Sequence, residues 1–492
     1  MSKKEKIQPE KLVETKEQKA EREAKQKATG KKVYIACVVV VIAAIIAAFG
    51  VLIYQRVGDN IGSYVKIGEY EVSKGEVDFY YNAVVSNYES QNYSYYSYLG
   101  IDPSRPYSEQ QYSEDLTWED YFMQGAIESM QEIYALYDAA IKSDMEFDAK
   151  KLVKEEMDAI EEAAAASDYT LKEYIQLAYG DISVSKFEKY IEKQLIAAEY
   201  SNYLKETYNV TDEMIAAEIE ENKGNYYLVS YRSYAINFST GTDATEKEKE
   251  ALKKEAKNKA DDLAAKITDE ESYKTVITEY DDTKDFDIDK STLVEDYFLS
   301  NVNAQLSEWM LKDDRKSGDI GVVEGTNAYY VVYFDSIARN ESTMVAFRHI
   351  LLSDSGVAEE NAKTMLDYWK KNGADEDTFA EMAERYSEDT GSTTNGGLYE
   401  HVGKGEMVES IDEWIFDEAR KAGDTAIIES TYGQHIMYFV SATDDLYVNY
   451  VATEALKNNH VTETTEELVK NMKVVDLKGK IAYLKATATD VK

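Results

Sequence analysis

The chain has 492 residues, 44% of them hydrophobic and 30% charged, which is enough for several domains with separate cores. Its formal net charge of −39 excludes functions that depend on neutralising nucleic-acid phosphates, because such binding needs clustered Lys and Arg. Only three prolines, beside long runs rich in Ala, Glu and Lys, favour a mainly helical chain over an all-β one.

The N-terminal residues 1–32 form a basic tail with eleven Lys and Arg against six Asp and Glu. The uncharged apolar run Val33–Tyr54 follows and is long enough to cross the roughly 30 Å hydrocarbon core of a membrane as one helix. Lys31 and Lys32 directly precede it, so the positive-inside rule predicts a cytoplasmic N-terminus and a single-pass cell-membrane protein whose bulk is extracytoplasmic. A cleaved signal peptide and a buried core helix are the alternatives. The one cysteine, Cys37, lies inside the run, so the exported domains are expected to be stable without a disulfide.

Residues 60–225 are predicted to form a helical domain. Tyr64–Ser73 alternates as two short strands, and Ser73-Lys74-Gly75-Glu76 has the form of a capping box that begins a helix. Helical periodicity continues with interruptions to about Asn225, and Thr211 is a plausible further N-cap.

Residues 78–112 of this domain hold nine tyrosines, interleaved with Ser, Asn and Gln around Pro103 and Pro106. Two interpretations are open for this stretch. It is either a solvated loop between helices or an adaptable amphipathic surface, because tyrosine offers a large contact area with little loss of rotamer entropy. The second interpretation suits a protein that binds unfolded chains.

The second half of the chain contains an internal repeat. Residues 411–424 match residues 306–319 without a gap at an offset of 105, and Phe379–Tyr386 matches Tyr273–Tyr280 at an offset of 106. Each copy has the pattern strand, helix, helix, strand, helix, strand, strand. The repeat therefore predicts two tandem α+β domains, residues 226–341 and 343–445, each with helices packed on an antiparallel sheet.

The second copy contains five short motifs in order along the chain. They are Arg348-His-Ile-Leu-Leu, Phe379–Tyr386 followed directly by Ser387-Glu-Asp389, Asn395-Gly-Gly397, Gly405-Glu-Met407 and Gly433-Gln-His435-Ile. In these motifs, residues 343–442 resemble the parvulin-type (PpiC) peptidyl-prolyl isomerases. The exported part as a whole resembles membrane-anchored foldases of the PrsA and SurA type, in which a helical chaperone domain begins with a strand pair like the one at Val65–Ser73.

The resemblance implies which residues form the site. The polar catalytic cluster transfers to His349, Asp389, Ser430 and His435. The substrate-binding, proline-cradling positions transfer to Met407 and Ile411, with Tyr399 beside them. No cofactor and no metal are implied.

The chain departs from the family at three places: Leu398-Tyr-Glu-His-Val402 replaces the usual sequence after the glycine pair, Ile411 replaces a phenylalanine, and Ser430 replaces a threonine.

Two other interpretations of the histidines are open. His349 and His435 would also be explained as a buried pair that braces the sheet, or, with Asp389, as metal ligands. His401 and His460 have no partner that the sequence reveals and are predicted to be surface residues.

The first copy lacks the polar cluster. Thr283 and Tyr330 stand at the positions of Asp389 and His435, and the first strand of this copy contains no histidine. The shared positions Trp309, Gly318 and Phe334 are scaffold residues, and their identities are kept in the first copy. We therefore expect a degenerate domain that folds without isomerising and serves as a spacer or peptide-binding surface. Residues 446–492 follow as a tail in which Thr462–Met472 is predicted to be helical.

The leading functional hypothesis is an isomerase that also acts as a chaperone for unfolded or newly exported polypeptides with Xaa-Pro bonds. Proline isomerisation is slow, and a newly exported chain exposes apolar surface while it waits. One alternative is a non-catalytic chaperone or surface binding module on the same scaffolds. Another is an adhesin or assembly scaffold with a specific partner.

Overall fold

The computed structural model describes residues 62–238, 245–353 and 356–484. The predicted basic tail and the apolar run Val33–Tyr54 lie outside the described residues. Within those ranges, no helix is both long and apolar enough to cross a membrane. The chain divides into two compact units. The helical unit comprises the described parts of residues 14–209 and 457–492, and the sheet unit comprises the described parts of residues 210–456.

The helical unit begins with the predicted strand pair, which is confirmed. Its elements are β1 (Ser63–Ile67), β2 (Tyr70–Ser73), α1 (Lys74–Asn92), α2 (Tyr96–Leu99), α3 (Trp118–Lys142), α4 (Ala149–Ala166), α5 (Leu171–Tyr179) and α6 (Val184–Thr207). A third strand, β11 (Val474–Asp476), pairs antiparallel with β1 and gives the order β11-β1-β2. The C-terminal tail therefore completes the small sheet of this unit. Its helix, α15 (Tyr447–Val469), begins earlier than the predicted Thr462, and its residues from 457 onward belong to this unit.

Helix α1 shows only half of the predicted capping box. The Ser73 side chain accepts a hydrogen bond from the backbone N–H of Glu76 at 3.3 Å. The Glu76 carboxylate is instead buried among the helices, where Tyr134 donates to it at 2.6 Å and Lys193 pairs with it at 2.6 Å. The sequence pattern located the start of the helix, but the tertiary structure uses the acidic side chain elsewhere.

The tyrosine-rich stretch is neither a plain loop nor wholly exposed. Tyr96 and Tyr107 are buried and form a small core with Trp118 and Phe122. The side chains of Tyr93, Tyr95 and Tyr98, in contrast, are 57%, 60% and 89% exposed. The same segment thus packs one set of aromatic rings inside and presents another set to solvent.

The sheet unit contains both copies of the repeat, after helix α7 (Asp212–Glu221), whose predicted N-cap Thr211 accepts from Met214 N at 3.3 Å. This helix packs with Tyr226, Val448 and Ala452, so the first segment of the helical unit ends at Asn209, before the predicted 225.

Elements of the first copy are β3 (Tyr227–Asn237), α8 (Glu246–Ala264), α9 (Glu270–Tyr280), α10 (Ile288–Thr292), β4 (Leu293–Phe298), α11 (Ala304–Met310), β5 (Ile320–Glu324) and β6 (Ala328–Arg339). Those of the second are β7 (Thr343–Leu352), α12 (Ala358–Lys371), α13 (Glu376–Tyr386), β8 (Leu398–Val402), α14 (Glu409–Ile415), β9 (Thr425–Ser430) and β10 (Gly433–Leu446).

Both copies fold as the predicted antiparallel α+β domain. The strand orders are β4-β3-β6-β5 and β8-β7-β10-β9, and the described part of the first copy adds the short helix α10 to the predicted order. In the second copy, α12 and α13 cover one face of the sheet, where they bury Ile350 and Ile436. Alternation along the strands turns Phe347 and Met437 to the opposite face, toward α14. The predicted site residues of β7 and β10 belong to this second face.

Candidate active site

His349 and His435 come together because β7 and β10 are neighbours. His349 is paired with Met437 and His435 with Leu351, so the two histidines are two residues apart in register and share a face. Their Nδ1 atoms are 3.1 Å apart and their rings are stacked at 5.3 Å. Both side chains are buried. The strand register therefore creates the histidine pair that the sequence predicted.

Asp389 is brought to this pair by the turn after α13. Glu388 N donates to Leu351 O at 2.8 Å, which ties the turn to β7. Asp389 Oδ2 then lies 2.8 Å from His349 Nε2 and accepts a hydrogen bond from Tyr399 OH at 3.0 Å. Ser392 Oγ donates to the same oxygen, and Gly391 N donates to Oδ1 at 3.1 Å. The carboxylate is therefore held by four donors.

Ser430 stands at the other end of the cluster, where the β9–β10 hairpin begins. Its Oγ lies 2.7 Å from His435 Nε2 and accepts a hydrogen bond from Tyr432 N at 3.0 Å. The four predicted polar residues thus form a continuous chain in the order Ser430, His435, His349, Asp389.

With both histidines neutral, this chain has a single self-consistent proton arrangement. The ionised Asp389 can only accept, so His349 must carry its proton on Nε2, which leaves Nδ1 as an acceptor. His435 must then donate from Nδ1 and accept at Nε2, where the Ser430 hydroxyl donates. Every ring nitrogen is satisfied, and all hydrogen bonds point toward the carboxylate.

The charge states follow from burial and from these hydrogen bonds. Burial raises the pKa of the Asp389 carboxyl, but the hydrogen bonds from Ser392, His349, Gly391 N and Tyr399 outweigh it and lower the pKa to about 2. Burial lowers the pKa of His349, against the opposing effect of Asp389. Burial, and then the neighbouring His349, lower the pKa of His435 to about 4. At neutral pH the cluster therefore consists of one carboxylate and two uncharged imidazoles.

These shifts predict how activity and stability depend on pH. The folded-state pKa of His435 lies below its ordinary value of 6.5, so the neutral form stabilises the fold fully above that value, and this contribution is lost as the pH falls through about 4. We expect kcat/KM for proline isomerisation to be flat from about pH 8 to about 6 and to decrease near pH 4. NMR exchange spectroscopy on a proline peptide measures this without a coupling protease. A decrease centred near 6.5 would instead indicate solvated histidines.

An apolar surface lies beside the polar chain. Met407 and Tyr399 are half-buried in the cluster that α14 forms with the sheet, while Ile411 is buried behind them with 3% of its surface exposed. The Tyr399 ring stacks on Phe347 at 5.3 Å, and burial followed by the hydrogen bond to Asp389 raises the Tyr399 pKa to about 12. Tyr399 is thus a member of the polar network as well as of the apolar surface.

Sequence reasoning missed three contributors. Ser392 is 1% exposed and donates to Asp389, and Phe347 supports Tyr399. Arg348 donates to the carbonyl oxygens of Asn395 and Gly396 at 2.8 and 3.1 Å and pairs with Glu376. The Asp-Thr-Gly-Ser sequence at 389–392 is typical of a turn held by side-chain hydrogen bonds. It would have predicted the contact of Ser392 with Asp389.

The Gly396–Gly397 pair has a steric reason. Gly397 has a φ of +73°, and a Cβ built there would collide with the backbone carbonyl of His349. His349 N donates to Gly397 O at 2.9 Å. A side chain at this position would push β8 away from β7 and from the histidine.

The metal alternative does not fit the geometry of these residues. The two nitrogens of His349 face different partners, Asp389 and His435, so the three side chains do not converge on one point. Among the residues that the structure describes, no group of three His, Cys, Asp or Glu could hold a metal ion.

The other two histidines both have aromatic partners. His401 stacks on Tyr450 at 4.5 Å, and His460 stacks on Tyr208 at 4.0 Å. His401 is exposed as predicted, whereas His460 is half-buried, and the sequence revealed neither aromatic partner.

The first copy has an equivalent sheet without the polar chain. By strand register, Ser233 and Tyr330 occupy the positions of His349 and His435, and Gly325 occupies that of Ser430. Thr283 replaces Asp389 in the sequence. The copy nevertheless has apolar cores of its own on both faces of its sheet.

Comparison with known proteins identifies the second copy. A family model described as a PPIC-type PPIase domain matches residues 335–443. Residues 335–443 are a parvulin-type peptidyl-prolyl isomerase domain. The predicted family and enzyme class are confirmed, and the protein is a peptidyl-prolyl cis-trans isomerase of the parvulin class.

The chain is also similar to curated foldases. Foldase protein PrsA 1 of Listeria innocua serovar 6a is 27% identical over 228 residues, which are 44% of this chain and 71% of the relative. Foldase protein PrsA of Halalkalibacterium halodurans is 35% identical over 123 residues, which are 25% of this chain and 34% of the relative. A crystal structure of the peptidylprolyl isomerase PrsA from Bacillus anthracis matches 61% of this chain and 98% of its own, with 16% identity and a TM-score of 0.20.

Proposed function

We propose that this parvulin-class isomerase acts at the His349–His435 site of the second copy, and that the whole protein is a membrane-anchored, extracytoplasmic isomerase and chaperone that assists the folding of exported proteins. The observation that carries the proposal is the continuous hydrogen-bonded chain from Ser430 to Asp389 beside the half-buried surface of Met407 and Tyr399. The similarity to PrsA foldases supports the chaperone part.

The reaction requires no covalent step. Rotation about a peptide bond has a barrier of roughly 18–20 kcal/mol because the C–N bond has partial double-bond character. A peptide twisted by a quarter turn has lost this resonance, so its carbonyl resembles that of a ketone and its nitrogen that of an amine. A site that binds the twisted form more tightly than either planar isomer therefore lowers the barrier.

The residues divide this task between them. Met407 and Tyr399 hold the pyrrolidine ring in a place from which water is largely excluded, and Ile411 packs behind them. The polar chain fixes the orientation of Ser430 and the rings of both histidines, so that the charge distribution around the twisted carbonyl is set before substrate binds. Because the polar chain contains two uncharged imidazoles and one carboxylate throughout, isomerisation proceeds without net proton transfer.

The direct test is the isomerisation of a panel of Xaa-Pro peptides by the full chain in a protease-coupled assay. We expect catalysis, and we expect a chain in which both Ser430 and His435 are replaced by alanine to lose it while keeping its circular dichroism spectrum. A well-folded wild-type chain that catalyses on no peptide would leave the alternative, a non-catalytic chaperone or surface binding module.

The exposed tyrosines of the helical unit support the chaperone role. Tyr93, Tyr95 and Tyr98 project from a segment whose residues 90–101 carry no charge, in a chain that is 30% charged. Such a surface offers aromatic contact to unfolded chains without charge repulsion.

Replacing Tyr93, Tyr95 and Tyr98 together by serine is expected to weaken the suppression of aggregation of an unfolded client and to leave isomerisation of short peptides unchanged. The buried rings of Tyr96 and Tyr107 are left in place, so the fold is kept. Light scattering of a denatured client measures the effect. Tyr169→Ser, at a 41% exposed tyrosine of the same unit, is the control; an equal loss in that variant would contradict the assignment.

The anchoring part of the proposal rests on the run Val33–Tyr54 and the basic tail before it. Protease added to intact protoplasts is expected to digest the C-terminal domains, while the basic N-terminal tail remains protected. Release of the protein from membranes by alkaline carbonate would contradict the anchor.

A further inference from the structure

The loop that carries Met407 is restrained within the second copy. We call residues 403–408, between β8 and α14, the Met407 loop. Gly405 N donates to both carboxylate oxygens of Asp412 at 3.1 and 3.2 Å, and Gly403 N donates to Glu406 Oε2 at 2.8 Å. Asp412 is itself buried. Hydrogen bonds within the loop and to Asp412 of α14 therefore restrain the loop, and its outer side makes further contacts.

That outer side is in contact with the first copy. Lys404 forms an ion pair with Asp296 of β4. Asn340, a buried residue of the connection between the copies, donates from Nδ2 to Lys404 O at 2.8 Å. Lys404 N donates to Ser342 Oγ at 3.0 Å. The side chain and the backbone of Lys404 therefore both bind residues of the first copy or of the connection between the copies.

The contact is closest at Gly405. This residue has a φ of +90°, and a Cβ built there would lie 2.9 Å from the backbone oxygen of Asp296 and 3.2 Å from Leu228 Cδ2. Asp296 and Leu228 both belong to the first copy. A side chain at position 405 would have to push the loop off the first copy, because a backbone oxygen cannot rotate away.

The first copy has an unusual backbone at this contact. Asp296 has a φ of +45°, a left-handed conformation that is uncommon for non-glycine residues and is adopted mainly by Asn and Asp. Ser230 Oγ accepts from Asp296 N at 3.1 Å, beside an irregularity in the pairing of β3 with β4. The strand therefore departs from regular geometry at the residue that contacts the Met407 loop.

We propose that the first copy is a positioning element for catalysis in the second, with Asp296 and Leu228 as the surface against which the Met407 loop sets Met407 in the proline-binding surface. The inference rests on the proposed function, since it assigns a role in binding to Met407. The first copy, which lacks the polar chain, would thus affect the reaction through the Met407 loop without contacting substrate.

The first test compares two glycines of the full chain that share a φ of +90°. Gly405→Ala introduces the collision with Asp296, whereas Gly423→Ala introduces the same backbone strain where a Cβ meets nothing within 4 Å. We expect Gly405→Ala to lower kcat/KM about tenfold, mainly through KM, and to shift the NMR signal of a ¹³C-labelled Met407 methyl group. Gly423→Ala is expected to change neither.

The second test acts from the first copy and adds no strain to the catalytic domain. Asp296→Asn removes the ion pair but keeps a residue type that tolerates positive φ, and it is expected to raise KM about twofold and to shift the Met407 methyl signal in the same direction. Glu295→Gln removes the neighbouring exposed charge and is the matched control.

Unchanged KM and an unchanged Met407 signal in Gly405→Ala and Asp296→Asn, beside an active wild type, would overturn the positioning role alone. So would equal effects in the two control variants. A wild-type chain without isomerase activity would overturn the proposed function, and this inference with it.

Discussion

Replacing His349 by alanine is expected to lower kcat/KM for proline isomerisation roughly 10²-fold, the usual cost of losing one preorganised polar group of an active site. His349 is the central link, because it donates to Asp389 and accepts from His435. Without it, the carboxylate loses a donor and the hydrogen bonds no longer orient His435 and Ser430. The measurement is kcat/KM on an Xaa-Pro peptide, with near-UV circular dichroism to confirm packing.

The repeat supplies a matched control for this variant. Ser233 occupies the position of His349 in the first copy, by strand register, and Ser233→Ala should leave kcat/KM unchanged. If His349→Ala does not fold, Ser430→Ala removes the half-buried end of the same chain and is expected to cost about tenfold. Activity within twofold of wild type in both site variants would mean that the histidines only brace the sheet.

Replacing Glu76 by alanine is expected to destabilise the helical unit by about 3 kcal/mol. Glu76 is 5% exposed and accepts from Tyr134, and Lys193, only 15% exposed, pairs with it. Removing the carboxylate leaves a buried ammonium without its counter-charge and a buried hydroxyl without its acceptor. Urea unfolding followed by hydrogen exchange of peptides from α1 reports on this unit alone.

Two further variants separate a lost ion pair from a buried, unpaired charge. Asp78→Ala removes the partner of Lys74 on the same helix, but that pair is partly exposed and should cost less than about 1 kcal/mol. Combining Glu76→Leu with Lys193→Met removes both charges and should recover most of the stability. Equal destabilisation by Glu76→Ala and Asp78→Ala would show that the Glu76 site is solvated.

Much of the architecture could be predicted because it depends on local sequence patterns. The repeat of Trp309 at Trp414 predicted two copies, and their strand and helix order followed from periodicity within each copy. Ser73 and Thr211 marked helix starts because an N-cap depends on residues only three positions apart. The resemblance in turn supplied the four residues of the polar chain, which the structure brings together.

Other features depend on contacts between distant parts of the chain. The strand Val474–Asp476 completes a sheet begun at Ser63, and no local pattern in so short a segment specifies its partner. The sequence predicts that Glu76 is a capping residue, but in the folded chain it binds Tyr134 and Lys193 of the helices packed around it. The exposed and buried tyrosines of residues 93–107 are indistinguishable in sequence, because burial depends on the later Trp118 and Phe122.

Residue patterns and spacing were enough to predict the two α+β copies and the difference between them, and the family resemblance identified the polar residues of the second copy. The folded structure was needed to show that the two histidines meet through their Nδ1 atoms, that the hydrogen bonds of the chain point toward Asp389, and that the Met407 loop lies against the first copy. The physical reason is that residue type and spacing specify local structure, whereas hydrogen-bond direction, charge state and contacts between domains depend on strand register and on burial, which exist only once the chain has folded.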